Sequence, residues 1–228
     1  MSVAIVVTGG SPPDPRVLHH LDRVDHVVCA DSGFDHALAL GIDVDLLVGD
    51  LDSVSSAGRA IAERRGVEIV EVSPDKDLTD TELALVAAAS RGATSLTLVS
   101  GGGDRLDHLL GIMAALAHDG LVGLERIDAW IGRDRLVVVR PDRPVVLDLD
   151  PGALVSLIPL NGPVHGVRTS GLQWPLDGET LRADRARGVS NRSVVGDPSV
   201  AVESGVLAVI VPGALDSPVR TRPSGDLS

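Results

Sequence analysis

The sequence predicts an α/β protein in two parts: a doubly wound, mostly parallel sheet domain over residues 1–132, then a smaller all-β domain of sandwich type over residues 133–215. Three observations predict it. Near-continuous aliphatic runs alternate with helical patterns through the first 132 residues, as strands covered on both faces require. Beyond residue 133 the helical period stops, and short strands punctuated by Pro, Gly and Asp replace it. The glycines and carboxylates of the first part gather at successive strand ends, where open parallel sheets bind ligands.

Taken in order, "VAIVVT" runs straight into glycines with no basic segment before it, so it reads as a first strand rather than a signal peptide. "PRVLHHLDR", with proline at its start, reads as a helix. The strand "HVVCA" follows, then the helix "FDHALAL" ending on Gly41, the strand "DLLVG", and the helix "SSAGRAIAERR" ending on Gly66. After the strand "VEIVEV", Thr79 and Glu82 have capping-box spacing, which starts a helix there with Leu83, Val86 and Ala87 as its buried stripe. The strand "SLTLVS", the helix "RLDHLLGIMAALAHD" and the strand "RIDAWI" complete the first domain, with Trp130 in a core pattern. The second domain offers the strands "RLVVVRP", "PVVLDLD", "ALVSLIPL", "GVRTSGL", "SVAVES" and "GVLAVIV". Residues 216–228 lack periodicity and are expected to be a disordered tail.

Composition narrows the function. Apolar residues make up 44% of the chain, enough for a core, but with two Trp, one Phe and no Tyr that core must be aliphatic. No stretch approaches the roughly 20 apolar residues of a membrane span, and a lone cysteine, Cys29, allows no internal disulfide. A cytoplasmic protein is expected. A formal net charge of −12 argues against nucleic acid or an anionic membrane as partner, and suits metal ions or a cationic small molecule.

Five strand ends carry the chemistry: Thr8-Gly9-Gly10, "ADSG" with Asp31 and Gly33, "GDLDS", "SPDKDLTD" and "SGGGDRLDH". If the strand persists past Gly49, Asp50 and Asp52 project to one side about 7 Å apart along the chain. Two carboxylates so placed repel unless a cation lies between them, and Mg²⁺ takes one or two carboxylates together with substrate phosphates. Asp80 falls in the first turn of its helix, beside Asp77 and Lys76, the only lysine of the chain. A lysine there would supply a point charge to a phosphate oxygen. Gly101 and Gly102 end a strand, where backbone N–H groups can line a phosphate. Arg105 could clamp that phosphate, with Asp107 orienting the arginine. The loop is neither a Walker A nor a dinucleotide fingerprint.

The segments "ADSGFDHAL", "LLVGDLDSV", "PDKDLTDTELAL" and "GGGDRLDHLLG", with "GVRTSGLQWPLDGETL" and "RGVSN" later, resemble the thiamine pyrophosphokinase family across roughly residues 3–212. The resemblance implies a catalytic α/β domain, a thiamine-binding β-sandwich, a homodimer with thiamine near the subunit interface, and transfer of a diphosphoryl group from ATP to thiamine, releasing AMP. It implies Mg²⁺ on Asp50, Asp52 and Asp80, with Asp31 and Asp77 nearby, Lys76 and Arg105 on phosphates, and Trp174, Ser190 and Asn191 on the thiamine side. Trp174 could stack on the flat cationic ring of thiamine, and Asp80 is the candidate base. The chain departs from the family pattern at Asp104, interposed after the glycines, and at Arg192, where a polar or acidic residue is usual.

Two other readings compete. "DLDSV" formally fits the D-x-D-x-[TV] pattern of haloacid-dehalogenase-like phosphohydrolases, with Asp50 as covalent nucleophile. However, it follows a third strand rather than a first, and no later G-D-x-x-x-D motif exists. A non-catalytic thiamine- or nucleotide-binding protein would be expected to lose its carboxylates first, and here all are present.

Overall fold

The computed structural model describes residues 2–21, 24–103, 105–216 and 220–223. The chain divides into two compact units, Met1–Gly132 and Arg133–Ser228.

In the first unit, six parallel strands lie in the order β6-β5-β1-β2-β3-β4. They are β1 (Val3–Val7), β2 (His26–Ala30), β3 (Leu46–Gly49), β4 (Glu68–Glu71), β5 (Ser95–Ser100) and β6 (Arg126–Ile131). The helices between them are α1 (Gly33–Ala39), α2 (Ser56–Arg65), α3 (Asp80–Ser90) and α4 (Leu106–Ala115). β1 to β3 and the inner part of β5 are buried runs of Val, Ile, Leu and Ala, which is why they read as continuous apolar segments in the sequence. Chain order steps outward from β1 to β4 and then returns to β5 on the other side of β1. The carboxyl ends of β1 and β5 therefore lie side by side at the point where strand order reverses, a natural crevice.

Two helical expectations change on folding. Over the described part of "PRVLHHLDR" a 3-10 turn, Pro15–His20, replaces the helix and buries one side chain, Val17, while residues 22–23 lie outside the described residues; Asp14 holds its start by accepting the Arg16 N–H (2.9 Å). The buried stripe of α3 is Ala84, Leu85 and Ala88 rather than Leu83, Val86 and Ala87. That helix is apolar on almost every side, so its pattern does not select a face. Its start follows the sequence: Thr79 and Glu82 form the reciprocal capping box (Thr79 N–H to Glu82 Oε2 2.8 Å, Glu82 N–H to Thr79 Oγ1 3.2 Å).

The second unit is antiparallel and β-rich: β7 (Asp134–Val139), β8 (Val145–Asp148), β9 (Leu154–Ser170), β10 (Asp177–Leu181), β11 (Asn191–Arg192), β12 (Ser199–Ala201), β13 (Ser204–Val211) and β14 (Arg220–Pro223). Two strands expected from the sequence are one, β9. Its first half pairs with β13 and its second half with β12 and β10. Asn161 (φ 61°), Gly162 (φ 138°) and Gly166 (φ 63°) give it the bend that the sequence signalled as a break. Part of the expected tail is built: its first residue, Asp216, closes the 3-10 turn Ala214–Asp216, and β14 pairs with β8. An edge strand needs only main-chain partners, so it leaves no hydrophobic period to read. Residues 217–219 and 224–228 lie outside the described residues. Among the described residues, no helix is long and apolar enough to cross a membrane.

Gly33 fixes how closely α1 crosses β1, since a Cβ there would lie 2.2 Å from the Val7 carbonyl oxygen. Gly33→Ala is expected to destabilise the fold by about 3 kcal/mol or more, the upper end of overpacking costs, read as a lower urea midpoint. Gly111→Ala, where a Cβ meets nothing within 4 Å in the interior of α4, should instead raise stability by up to about 1 kcal/mol.

Candidate functional site

A cavity of about 550 Å³ opens at the carboxyl edge of the parallel sheet and is lined from all five strand ends that the sequence singles out. Its walls include Gly10, Asp31, Asp50, Lys76, Asp80 and Gly102.

The "GDLDS" segment does not continue as a strand. Gly49 (φ 152°) and Leu51 (φ 62°) turn the chain, and the Asp52 N–H donates to Asp50 Oδ1 (3.2 Å). The turn is held from the neighbouring strand end, where Asp31 accepts the Leu51 N–H on Oδ1 (3.1 Å) and Leu51 itself is buried. Only glycine fits at position 49, because a Cβ would lie 1.9 Å from Asp31 Oδ1. As a result Asp31, Asp50 and Asp52 each present a carboxylate oxygen, all within 4.8 Å of one another, nearer than an extended strand would allow.

The other two expected acids are placed differently. Lys76 Nζ lies 2.9 Å from Asp80 Oδ1 and 3.7 Å from Asp50 Oδ2, so the lysine sits between them. Lys76 is thus the charged partner of Asp80 Oδ1, a buried atom. The structure thus groups Asp31, rather than Asp80, with Asp50 and Asp52, while Asp80 stays close enough for its charge to act on Asp31. Asp77 lines the cavity.

These carboxylates outnumber the one lysine among them. Burial, followed by the charge of Asp80, pushes the Asp31 carboxyl up to about 7 against the opposing Leu51 N–H. The Asp50 charge raises the exposed Asp52 as well. For Lys76, burial works to lower the pKa, but Asp80, Asp50 and Asp31 outweigh it and the ammonium is held above its ordinary value. An all-oxygen set with surplus negative charge fits a hard divalent cation.

Across the cavity, Gly102 (φ 82°) and Gly103 form part of the wall. Gly101 does not line it; this residue packs on the chain at Ser11, whose carbonyl oxygen a Cβ would meet at 2.0 Å. Asp104 lies outside the described residues. Arg105 and Asp107, both on the cavity, form a fork (Nη2–Oδ2 2.6 Å, Nε–Oδ1 3.2 Å), and this pairing lowers the Asp107 carboxyl to about 2. Gly33 serves the packing of α1 on β1 and does not line the cavity. Thr8, named with the first strand end, lines it, as do Ser32 and Ser53, to which the sequence reading gave no site role; a small hydroxyl beside an acid was the available signal.

In the second unit Trp174 is 56% exposed and is therefore not core. Asn191 is buried and bonded to main chain: its Oδ1 accepts the N–H groups of Trp174 (3.2 Å) and Arg192 (2.8 Å), and its Nδ2 donates to the Trp174 carbonyl (2.8 Å). Asn191 thus fastens the segment that carries the tryptophan. Ser190 is exposed, in a left-handed conformation (φ 63°), with its N–H on Ser156 Oγ (3.1 Å). Arg192 is also exposed and reaches the Gly152 carbonyl (3.3 Å).

A glycine-walled cavity with a lysine and clustered carboxylates at a parallel sheet edge, on a chain that continues into a β-rich unit, is the equipment of a kinase-type transferase. Comparison with known proteins narrows the class. The family description "Thiamin pyrophosphokinase, catalytic domain" matches residues 17–121, and "Thiamin pyrophosphokinase, vitamin B1 binding domain" matches residues 144–207. Between them the two take in well over half of the chain, and the chain belongs to the thiamine pyrophosphokinase family. It is 22% identical over 208 residues to thiamine pyrophosphokinase of Bacillus subtilis (90% of this chain, 97% of the relative). It is 29% identical over 194 residues to thiamine pyrophosphokinase 3 of Oryza sativa subsp. japonica (73% and 71%). The crystal structure of the Bacillus subtilis protein has the same fold, with a TM-score of 0.76 at 21% identity over 92% of this chain and 98% of that one.

The raised Asp31 carboxyl has a consequence for stability. Folded, it holds its proton up to about 7, whereas unfolded it loses it near about 3.9. Its contribution is therefore present at low pH and is lost as pH rises between those values. Urea unfolding in chelator should show wild type losing stability over this window relative to Asp31→Asn, and saturating Mg²⁺ should remove the difference. Equal slopes in chelator would contradict the assignment.

Proposed function

We propose that this chain transfers the terminal diphosphoryl group of ATP to the hydroxyl of thiamine, giving thiamine diphosphate and AMP. The observation that carries the reading is the Asp31-Asp50-Asp52 cluster with Lys76 beside it, at the edge of a domain that matches the family's catalytic description. The thiamine oxygen attacks the β-phosphorus, the bond from that phosphorus to the oxygen it shares with the α-phosphate breaks, and the electron pair leaves with AMP. The hydroxyl proton passes to a cavity carboxylate, for which Asp80 is our assignment.

Such chemistry is mainly positioning and charge neutralisation. Asp31, Asp50 and Asp52, with Asp80 next to them, would hold Mg²⁺, which when bound supplies the charge that neutralises the polyphosphate. Lys76 adds a point charge to a phosphate oxygen. Arg105, oriented by Asp107, presents its planar guanidinium to a second phosphate, and Asp77 borders the same cavity. The N–H groups of the Gly102 turn approach the phosphates closely. Trp174, steadied by Asn191 and flanked by Ser190, offers an exposed aromatic face to the thiazolium.

Several finer points belong to the same reading. Helices cover both faces of the first sheet, and β9 serves both layers of a sandwich in the second unit. The first domain, 1–132, binds ATP and the second, 133–215, binds thiamine. The active form is a homodimer in the cytoplasm with thiamine near the subunit interface, and neither nucleic acid nor membrane is a partner.

Incubation with Mg-ATP and thiamine, followed by chromatography, should show AMP and thiamine diphosphate appearing in equal amounts. Chelator should abolish both, and Asp50→Asn should slow them by at least about 100-fold, as loss of a direct ligand must exceed the usual cost of losing a supporting one. ADP or inorganic phosphate as product would overturn the reading.

A further inference from the structure

Two adjacent residues of α1, Asp35 and His36, are absent from the cavity wall, yet each is bonded to a different segment of its rim. Asp35 accepts the Ser55 N–H on Oδ2 (2.8 Å) and the Ser55 hydroxyl on Oδ1 (2.6 Å). Ser55 Oγ in turn accepts the Gly58 N–H (2.9 Å), capping α2. This knot closes the far end of the 50–55 loop, which carries Asp50, Asp52 and Ser53, and it is packed tightly: a Cβ on Gly58 would lie 2.3 Å from Asp35 Oδ1. His36 Nε2 lies 2.9 Å from the carbonyl oxygen of Gly10, which can only accept, so the ring N–H donates. Gly10 (φ 91°) belongs to the Thr8–Gly10 turn, a separate segment of the rim.

Neighbouring residues on a helix point in different directions, so one helical turn can reach two walls. The helix is itself immobilised: Phe34 is fully buried, its N–H bonds the Asp31 carbonyl (2.9 Å), and Gly33 lies against β1. We propose that Asp35 and His36 are positioning residues that set the two walls independently, Asp35 through the carboxylate loop that receives the divalent cation and His36 through the glycine turn that receives the nucleotide. The proposal rests on the reading of the cavity as a cation and ATP site.

The full-length protein and its variants would be titrated with Mn²⁺ and separately with ATP, and their melting temperatures recorded. Asp35→Ala should weaken Mn²⁺ binding about 10-fold or more, the usual cost of removing a group that supports a ligand. Ser55→Ala combined with Asp35→Ala should lose no more than Asp35→Ala alone, as expected of one shared connection. His36→Ala should leave Mn²⁺ affinity unchanged and weaken ATP binding about threefold to tenfold, the worth of one hydrogen bond. His36→Gln, which keeps an N–H donor, should recover most of it.

Variants that lose melting temperature with both affinities unchanged would overturn the proposal, as would both affinities falling together in each variant. Wild-type protein that binds neither Mn²⁺ nor ATP would overturn it together with the site assignment. If wild type binds both but makes no thiamine diphosphate, the proposed activity fails, and the titrations still decide Asp35 and His36.

Discussion

The hydrogen bond from the Leu51 N–H to Asp31 Oδ1 governs the site. It joins the ends of β2 and β3 through a side chain instead of the sheet ladder, and it requires three unusual backbone conformations: Asp31 at φ 47°, Gly49 at φ 152° and Leu51 at φ 62°. Each non-glycine residue in that region costs on the order of 1–3 kcal/mol. The sheet below is rigid and aliphatic and can hold such a strained edge, because Asp31 continues the β2–β3 register by donating its N–H to the Val48 carbonyl.

That geometry concentrates charge. An extended strand would separate Asp50 and Asp52, whereas the turn gathers them with Asp31 and so raises their mutual repulsion. Lys76 relieves part of it from the Asp50–Asp80 side. Burial, joined by the charges of Asp80 and Asp50, raises the Asp31 carboxyl to about 7, far above an ordinary aspartate. A cation bound there would offset this repulsion and so stabilise the folded chain.

The second unit handles polarity by another route. Its acids and arginines are largely paired on the surface, as in the Arg182–Asp184 pair (2.8 Å), and such exposed pairs contribute little to stability. Its one buried side-chain amide, Asn191, satisfies three main-chain groups around Trp174. A large aromatic side chain is thereby kept outside the core of a unit that otherwise depends on Val, Leu and Ala.

Much of this was legible in the residues. Unbroken aliphatic runs gave β1 to β3 and the inner part of β5, because a strand buried on both faces leaves little room for a polar residue. The Thr79–Glu82 box located the start of α3 and with it Asp80, because a capping box is a purely local contact. The ordered motifs named every strand end that meets the cavity. Where side chains were apolar on almost every side, as in α3, or where a strand was short and polar, as in β10 and β11, no period existed to be read. The sequence by itself determined which groups stand at the sheet edge, since chemistry and local turns are written residue by residue. Only the tertiary structure decided that Asp31 joins Asp50 and Asp52, that Lys76 lies between Asp50 and Asp80, and that Asp35 bonds Ser55 while His36 bonds Gly10. Those relations depend on how neighbouring strand ends and one short helix meet, and contacts between distant segments are set by packing, not by spacing along the chain.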